Sequence, residues 1–219
     1  HEAYEQYKAQ REETPEAIRL SVPIIKDIIR AYRIPILEVS GYEADDVIGT
    51  LATEAGRQGI ITYMMTPDKD YGQLVSDNVF MYRPKHSGGF EVMGIDEIKA
   101  KFNIRSTEQV IDMLGLMGDS SDNIPGCPGV GKKTAQKLVA EFGSIENLLA
   151  HTDQLKGALK TKVEANREMI TFSKFLATIK VDVPIKLDMT TLVREEPDEE
   201  KLRKIFEELE FRTPVSYTH

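Results

Sequence analysis

Seven acidic residues stand in three short clusters: Glu43, Asp45 and Asp46 in Gly-Tyr-Glu-Ala-Asp-Asp-Val-Ile-Gly, Asp68 and Asp70 in Thr-Pro-Asp-Lys-Asp, and Asp119 and Asp122 in Gly-Asp-Ser-Ser-Asp-Asn. Each cluster alone has a plain structural explanation. Acids at a helix N-terminus complement its dipole by about 0.3–1 kcal/mol, Asp-rich turns are common, and a polar loop stops a helix. Three acids in four residues exceed what a helix start needs, however, and the three-residue spacing of Glu43 and Asp46 puts both on one face of a first helical turn. Taken together, carboxylates from separate segments suit hard divalent cations, which prefer oxygen ligands and, for Mg²⁺, keep several waters. Two such ions about 3.5–4 Å apart hydrolyse phosphodiesters by activating water and steadying the attacking and leaving oxygens. A calcium loop is the rival for the third cluster, but no Glu closes the 12-residue pattern. A zinc set is excluded by four scattered histidines and the lone Cys127.

A second constellation is Ile124-Pro-Gly-Cys-Pro-Gly-Val-Gly-Lys-Lys-Thr-Ala135. Gly126 to Lys132 imitates a phosphate-binding P-loop, yet Lys133 stands where Ser or Thr must hold Mg²⁺, and no strand precedes it. The better reading is a helix-hairpin-helix. Gly129 and Gly131 permit a tight turn around Val130, and the helix that starts there offers free N–H groups to a phosphate. Lys132, Lys133 and Lys137 add charge and Thr134 a hydroxyl. Such contacts hold a nucleic-acid backbone without reading its sequence; the plainer alternative is a glycine-rich turn between helices. Near the start, Tyr7, Lys8 and Arg11 lie on a polar segment, residues 4–11, read as helical, with Lys8 and Arg11 on one face. They could meet a phosphate or stack on a base, or they could be a solvated helix surface.

The elements that must position these residues follow from periodicity. Pro15 opens a helix in which Ile18, Val22, Ile25, Ile28 and Ile29 recur at helical spacing. Pro35–Val39 reads as a short strand. Ala44, Val47, Ile48, Leu51, Ala52 and Ala55 stripe a helix over 43–57, ended by Gly59. Ile60–Met65 is the candidate buried central strand, which would deliver Asp68 and Asp70 beyond its carboxyl end, where open α/β sheets bind ligands. Val79–Tyr82 and Phe90–Met93 read as edge strands around a turn at Ser87-Gly88-Gly89. Beyond Ile104 the pattern is helical, at 111–118, 132–142, 145–149, 159–177 and 198–209. The division is an α/β lobe over 1–104 and a helical, hairpin-bearing lobe over 105–212. Residues 213–219 break the pattern and read as a non-native tail.

The chain has 219 residues and a net charge of −8, with hydrophobic residues at 41%, enough for a core. The negative charge argues against a nucleic-acid partner until its clustering is considered: two divalent ions would add four positive charges where the acids crowd. No apolar run reaches the length of about 20 residues that a membrane helix needs, and no signal segment opens the chain. A single cysteine fits a reducing cytoplasm, the expected location.

In combination, Tyr4-x-x-Tyr7-Lys8-x-x-Arg11 after His1-Glu2-Ala3, Gly-Tyr-Glu-Ala-Asp-Asp-Val, Thr-x-Asp-Lys-Asp, Gly-Asp-Ser-Ser-Asp-Asn-Ile-Pro-Gly and Gly-Val-Gly-x-Lys-Thr-Ala resemble the 5′–3′ exonuclease domain of bacterial DNA polymerase I, within the flap endonuclease family. The resemblance spans His1 to about Arg212. It implies an α/β, PIN-like or resolvase-like sheet lobe followed by a helix-three-turn-helix lobe. It also implies a two-metal site for Mg²⁺, or Mn²⁺, that cuts DNA at 5′-flaps, nicks or duplex ends in replication and repair. By motif position Glu43, Asp45, Asp46 and Asp68 would serve one ion and Asp70, Asp119 and Asp122 the other, with Asp68 near both. Lys8 and Arg11 would contact the scissile phosphate from a helical arch, Tyr7 would pack beside the substrate, and the Gly129–Thr134 hairpin would bind duplex DNA around a K⁺ ion. A polymerase domain would follow in the parent protein. The family carries two further acidic ligands upstream of the arch, one on the first strand of the sheet. The expectation is therefore that this 219-residue piece lacks that strand and is inactive or nearly so. The alternatives are a non-catalytic DNA-binding module using the hairpin alone, which would be indifferent to Asp68 and Asp119, and a phosphohydrolase of small molecules, which would be indifferent to Lys132 and Lys133.

Overall fold

The computed structural model describes residues 4, 6–9, 11–85 and 87–211; the His1-Glu2-Ala3 motif and the tail over 213–219 lie outside them. In chain order the elements are α1 (Glu16–Ala31), α2 (Ala44–Arg57), β1 (Thr62–Met65), a 3-10 turn (Lys69–Leu74), β2 (Val79–Pro84), β3 (Phe90–Met93), α3 (Ile95–Phe102), α4 (Gln109–Met117), α5 (Lys132–Phe142), α6 (Ile145–Ala150), α7 (Gly157–Ala165), α8 (Arg167–Ala177) and α9 (Glu199–Glu208). They gather into two compact units, one drawing on the chain up to Arg11 and on Gly41–Ile185, the other on Glu12–Ser40 and the chain from Lys186 onward.

The first unit is a mixed α/β body with one three-stranded sheet. β1 runs parallel to β2, with Thr62 opposite Val79, and β3 returns antiparallel, with Met81 opposite Met93. Alternation buries Met64, Val79, Met81 and Met93 on one face. The other face carries a ladder of rings: Tyr63 against Phe80 with centroids 5.6 Å apart, and Tyr82 against Phe90 at 4.6 Å. α2 buries Val47, Thr50, Ala52 and Ala55, and Gly56 lets it close on the sheet, since a Cβ there would lie 2.7 Å from Val79 Cγ2.

The centre of this unit is α4. Val110, Met113, Leu114 and Leu116 are all fully buried, each burial worth about 1.5–3 kcal/mol against exposure. α4 packs on the 3-10 turn and on α5, α6 and α8. Gly115 sets the closeness of α8: a Cβ at this position would meet Ile145 Cδ1 at 2.7 Å and Lys174 Cα at 3.0 Å. Because α4 ends at Gly118 and touches the turn after β1, it brings the second and third acidic clusters together.

In the second unit, Ala31 at the end of α1 packs with Leu202 and Phe206 of α9. The Asp198 N–H donates to the Ala31 carbonyl at 2.8 Å, and the Asp198 carboxylate caps α9 by accepting from the Lys201 N–H.

Several sequence expectations need correction. Residues 6–9 are turns, not helix, and Lys8 takes a left-handed φ of 58°; without an apolar stripe, a polar segment gains nothing from helical packing. Pro35–Val39 forms no strand. The central strand is β2, not β1, which is an edge strand with Tyr63 and Met65 exposed; apolar content alone does not distinguish the two. Residues 159–177 are split at Asn166 into α7 and α8. α3 was not foreseen, being too short for a clear period. Ile18, Val22 and Ile25 of α1 are exposed despite their helical spacing.

Candidate active site

Three local devices present the acids. Glu43 is the extended N-cap of α2, so Asp45 and Asp46 fall in the first turn, where the dipole favours them. The parallel strand β1 ends at Met65 and delivers Asp68 as the cap of the 3-10 turn, its carboxylate accepting from the Asp70 N–H at 3.0 Å. Gly118 and Gly126 close the third loop. The Asp119 N–H donates to Ile124 O at 2.9 Å and the Ile124 N–H donates to Asp119 O at 2.7 Å. Gly118 has φ 72°, and a Cβ there would sit 2.5 Å from Ile124 O, so only glycine fits. Inside the loop the Ser121 N–H donates to Asp119 Oδ1 at 2.8 Å.

These devices bring all seven acids around two recesses that share Asp70 and Asp122. One is lined by Glu43, Asp45, Asp46, Asp70 and Asp122 together with Tyr7 and Lys180. The other is lined by Asp68, Asp70, Asp119 and Asp122 with Arg11, Lys69, Arg83 and Lys101. Asp70 and Asp122 thus face both, while Asp68 lines the second and lies near enough to Asp45 to raise its pKa.

The chain's own cations bridge these carboxylates. Lys8 Nζ donates to Glu43 and stands 3.9 Å from Asp122. Arg11 donates to Asp122 at 2.6 Å. Lys69 Nζ donates to Asp119 and stands 3.5 Å from Asp70 Oδ1. Burial disfavours the Lys8 ammonium, but its bonds to Glu43 and Tyr7 outweigh that and raise its pKa. Lys69 behaves likewise through Asp119 and Asp70. Asp119 is held below the usual carboxylate range, since Lys69 and the Ser121 N–H overcome its burial. Burial pushes Asp45 up, against the hydrogen bond it accepts from Tyr71 Oη at 2.9 Å.

Asp70 differs from the rest. It is 9% exposed, and its Oδ1 is the one buried side-chain polar atom without a hydrogen bond among the described residues. Lys69, though within ion-pair range, is committed to Asp119. Burial first, and then the charges of Asp68, Asp119 and Asp122, push Asp70 up to about 7. Of the cations at the recesses, Lys8, Arg11 and Lys69 pair with the seven carboxylates, while Arg83, Lys101 and Lys180 line the same recesses without an ion pair to any of the seven. An all-oxygen donor set with a buried carboxylate oxygen lacking a hydrogen bond fits a hard divalent cation. Among the described residues no three acidic, His or Cys side chains yet close round a single point. Lys8 and Lys69 stand between carboxylates there, so ion binding requires those ammonium groups to move aside.

The hairpin lies in the same unit. Val130 is buried and its N–H donates to Cys127 O at 2.9 Å, so its side chain anchors the turn rather than facing outward. Gly129 has φ 77°, Gly131 is the N-cap of α5, and Lys132, Lys133 and Lys137 are exposed, with Thr134 half-buried.

Two family models divide the chain: the 5′–3′ exonuclease N-terminal resolvase-like domain matches residues 1–103, and the 5′–3′ exonuclease C-terminal SAM fold matches residues 105–200. The chain belongs to the 5′–3′ exonuclease family. DNA polymerase I of Bacillus caldotenax is 41% identical over 215 residues, 97% of this chain and 24% of that protein. Thermostable DNA polymerase I of Thermus filiformis is 42% identical over 212 residues, 96% and 25%. The chain thus spans about a quarter of the length of these curated relatives. Among solved structures, T5 5′-exonuclease with bound zinc superposes with a TM-score of 0.67 at 21% identity, covering 94% of this chain and 78% of that one. The catalytic core of Rad2 in complex with DNA substrate gives 0.60 at 18% identity, covering 90% and 65%. The α/β lobe followed by a helical lobe is therefore the 5′–3′ exonuclease fold, as the sequence motifs implied.

In this 5′–3′ exonuclease chain the sequence reading passed over four side chains at the site. Lys69 lies inside the Thr-x-Asp-Lys-Asp motif but reads as a spacer. Tyr71 orients Asp45. Arg83 and Lys101, on β2 and α3, carry no motif signal and reach the second recess only through the fold.

Proposed function

We propose that this chain is the cutting module of a structure-specific 5′-nuclease that hydrolyses DNA phosphodiesters at 5′-flaps, nicks or duplex ends, using two divalent ions, Mg²⁺ or Mn²⁺, in replication and repair, with a polymerase domain following it in its parent protein. The single observation that carries the reading is the convergence of seven acids from three segments on recesses that share the buried Asp70, whose Oδ1 has no hydrogen bond.

Glu43, Asp45, Asp46 and Asp68 would hold one ion and Asp70, Asp119 and Asp122 the other. Bound there, the ions would supply an activated water and charge stabilisation for the two reacting oxygens. The protein's own part is positional. Tyr71 holds Asp45, and the Lys180 N–H holds Asp46 at 2.9 Å. Lys8 and Arg11, which lie on Glu43 and Asp122, are placed where they would turn to the scissile phosphate. Tyr7 lines the same recess and would pack beside the substrate. The hairpin from Gly129 to Thr134, with Lys137 and a K⁺ ion, would grip the duplex backbone without sequence preference.

The test titrates a 5′-flap and a nicked duplex with Mg²⁺ while following strand cutting and divalent-dependent DNA binding. Asp68→Asn and Asp119→Asn should abolish any cutting and the divalent dependence, while Lys132→Ala with Lys133→Ala should weaken DNA binding. Divalent-independent DNA binding that ignores both aspartates would instead establish a DNA-binding module.

A further inference from the structure

We propose that Lys101 and Arg83 form a phosphodiester-holding step between the carboxylate recesses and the glycine hairpin, so that a strand gripped at the hairpin is held by one more backbone phosphate before it reaches Asp119. The inference rests on the nuclease reading above and adds to it a strand path and two residues that the motifs do not mark.

The second recess is lined by Asp68, Asp70, Asp119 and Asp122 together with Arg11, Lys69, Arg83 and Lys101. Arg11 and Lys69 are already committed to Asp122 and Asp119. Arg83 keeps only a loose pair with its cross-strand neighbour Glu91, at 3.8 Å. Lys101, in the last turn of α3, has no carboxylate within ion-pair range among the described residues; its ammonium lies 5.9 Å from the Phe102 ring centre. Burial lowers the Lys101 pKa first; Arg83, Lys132 and Lys69 lower it further, and Glu91 opposes them. Lys101 thus lies within electrostatic reach of cations on the sheet, at the active site and at the start of the hairpin helix, and it shares the recess with Arg83 and Lys69. An anion placed there relieves that repulsion.

Gln136 of α5 donates to the Phe102 carbonyl at 2.9 Å, tying the end of α3 to the hairpin helix. Phe102 itself is buried. The carboxylates that share the recess favour the singly charged phosphodiester over a dianionic terminal phosphate.

The test measures binding of a nicked flap duplex by fluorescence anisotropy over a salt series, with Ca²⁺ in place of Mg²⁺. Lys101→Ala and Arg83→Ala should each weaken binding about 3–10-fold and reduce the salt slope by about 1, the signature of one lost phosphate contact. Lys101→Arg should restore both, which a folding defect would not allow. Lys204→Ala, in the other unit, should change neither. If Lys132→Ala weakens binding while Lys101→Ala keeps wild-type affinity and slope, the proposal is overturned and the nuclease reading stands. If the wild-type chain binds no DNA, both fall. An effect of Lys101→Ala that vanishes on DNA bearing a 5′-hydroxyl would assign the contact to a terminal phosphate and overturn the phosphodiester step.

Discussion

Two charge clusters in the first unit, each built around a buried aspartate, use the same residue types and come out differently. Between α4, α6 and α8, Lys174 donates to Asp112 at 2.6 Å and to Glu146 at 2.8 Å, and Asp112 also accepts from the Ile145 N–H at 2.9 Å. Burial works against the Lys174 ammonium, but its two acids raise its pKa, and Glu146 is correspondingly lowered. Every group there has a partner, so the cluster is structural. At the recesses, only Lys8, Arg11 and Lys69 pair with the seven carboxylates, and Asp70 Oδ1 has no hydrogen bond. Buried charge normally carries its own compensation; where the fold leaves it short, the balance must come from outside. The contrast separates a packing device from a binding site without reference to motifs.

The comparison can be broken in several ways. Lys174→Met should be the most damaging change, costing about 3–5 kcal/mol by leaving Asp112 buried and unpaired, read as a fall in the urea midpoint with divalent binding unaltered. Asp70→Asn should do the opposite. Asp70 is raised from 3.8 to about 7 in the fold, so the folded chain holds this proton more tightly than the unfolded one. The ion-free protein therefore loses stability as pH rises from about 4 to about 7. At pH 8, Asp70→Asn should stabilise the ion-free chain by about 1–3 kcal/mol and remove most of the pH dependence, seen in thermal melts at pH 5 and pH 8. Lys69→Ala should tighten divalent binding several-fold, about 1 kcal/mol, because its ammonium no longer competes for Asp119; unchanged or weaker affinity would mean that Lys69 supports the site rather than standing in for an ion. The smallest effect belongs to Lys137→Ala, which should lower the salt slope of DNA binding by about 1.

Much of this was legible in the sequence because it was local. The turn of β1 into Thr66-Pro67-Asp68, the helix carrying Asp45 and Asp46, and the glycines that force the 118–126 loop all declare themselves over a few residues. The family resemblance rested on those same segments, and the family models bear it out. Tertiary placement was not legible. Nothing local makes β1 an edge strand or exposes Ile18, Val22 and Ile25. Lys8 reads as a solvated helix cation until the fold lays it on Glu43 with a left-handed backbone. Lys101 and Arg83 lie outside every motif, and only the fold, with Gln136 of α5 bonded to the end of α3 and β2 paired with β3, brings them to the acids. Asp70 is visible as one acid of a pair; that it is buried with an Oδ1 lacking a hydrogen bond follows from its surroundings alone.

The most direct test of the central claim is calorimetric titration of the chain with Mg²⁺ and Mn²⁺ at pH 8, alongside Asp70→Asn and Lys174→Arg. The account predicts saturable binding of two divalent ions to the wild-type chain, loss of at least one in Asp70→Asn, and no change in Lys174→Arg. Binding that is absent in the wild-type chain, or indifferent to Asp70, would contradict it.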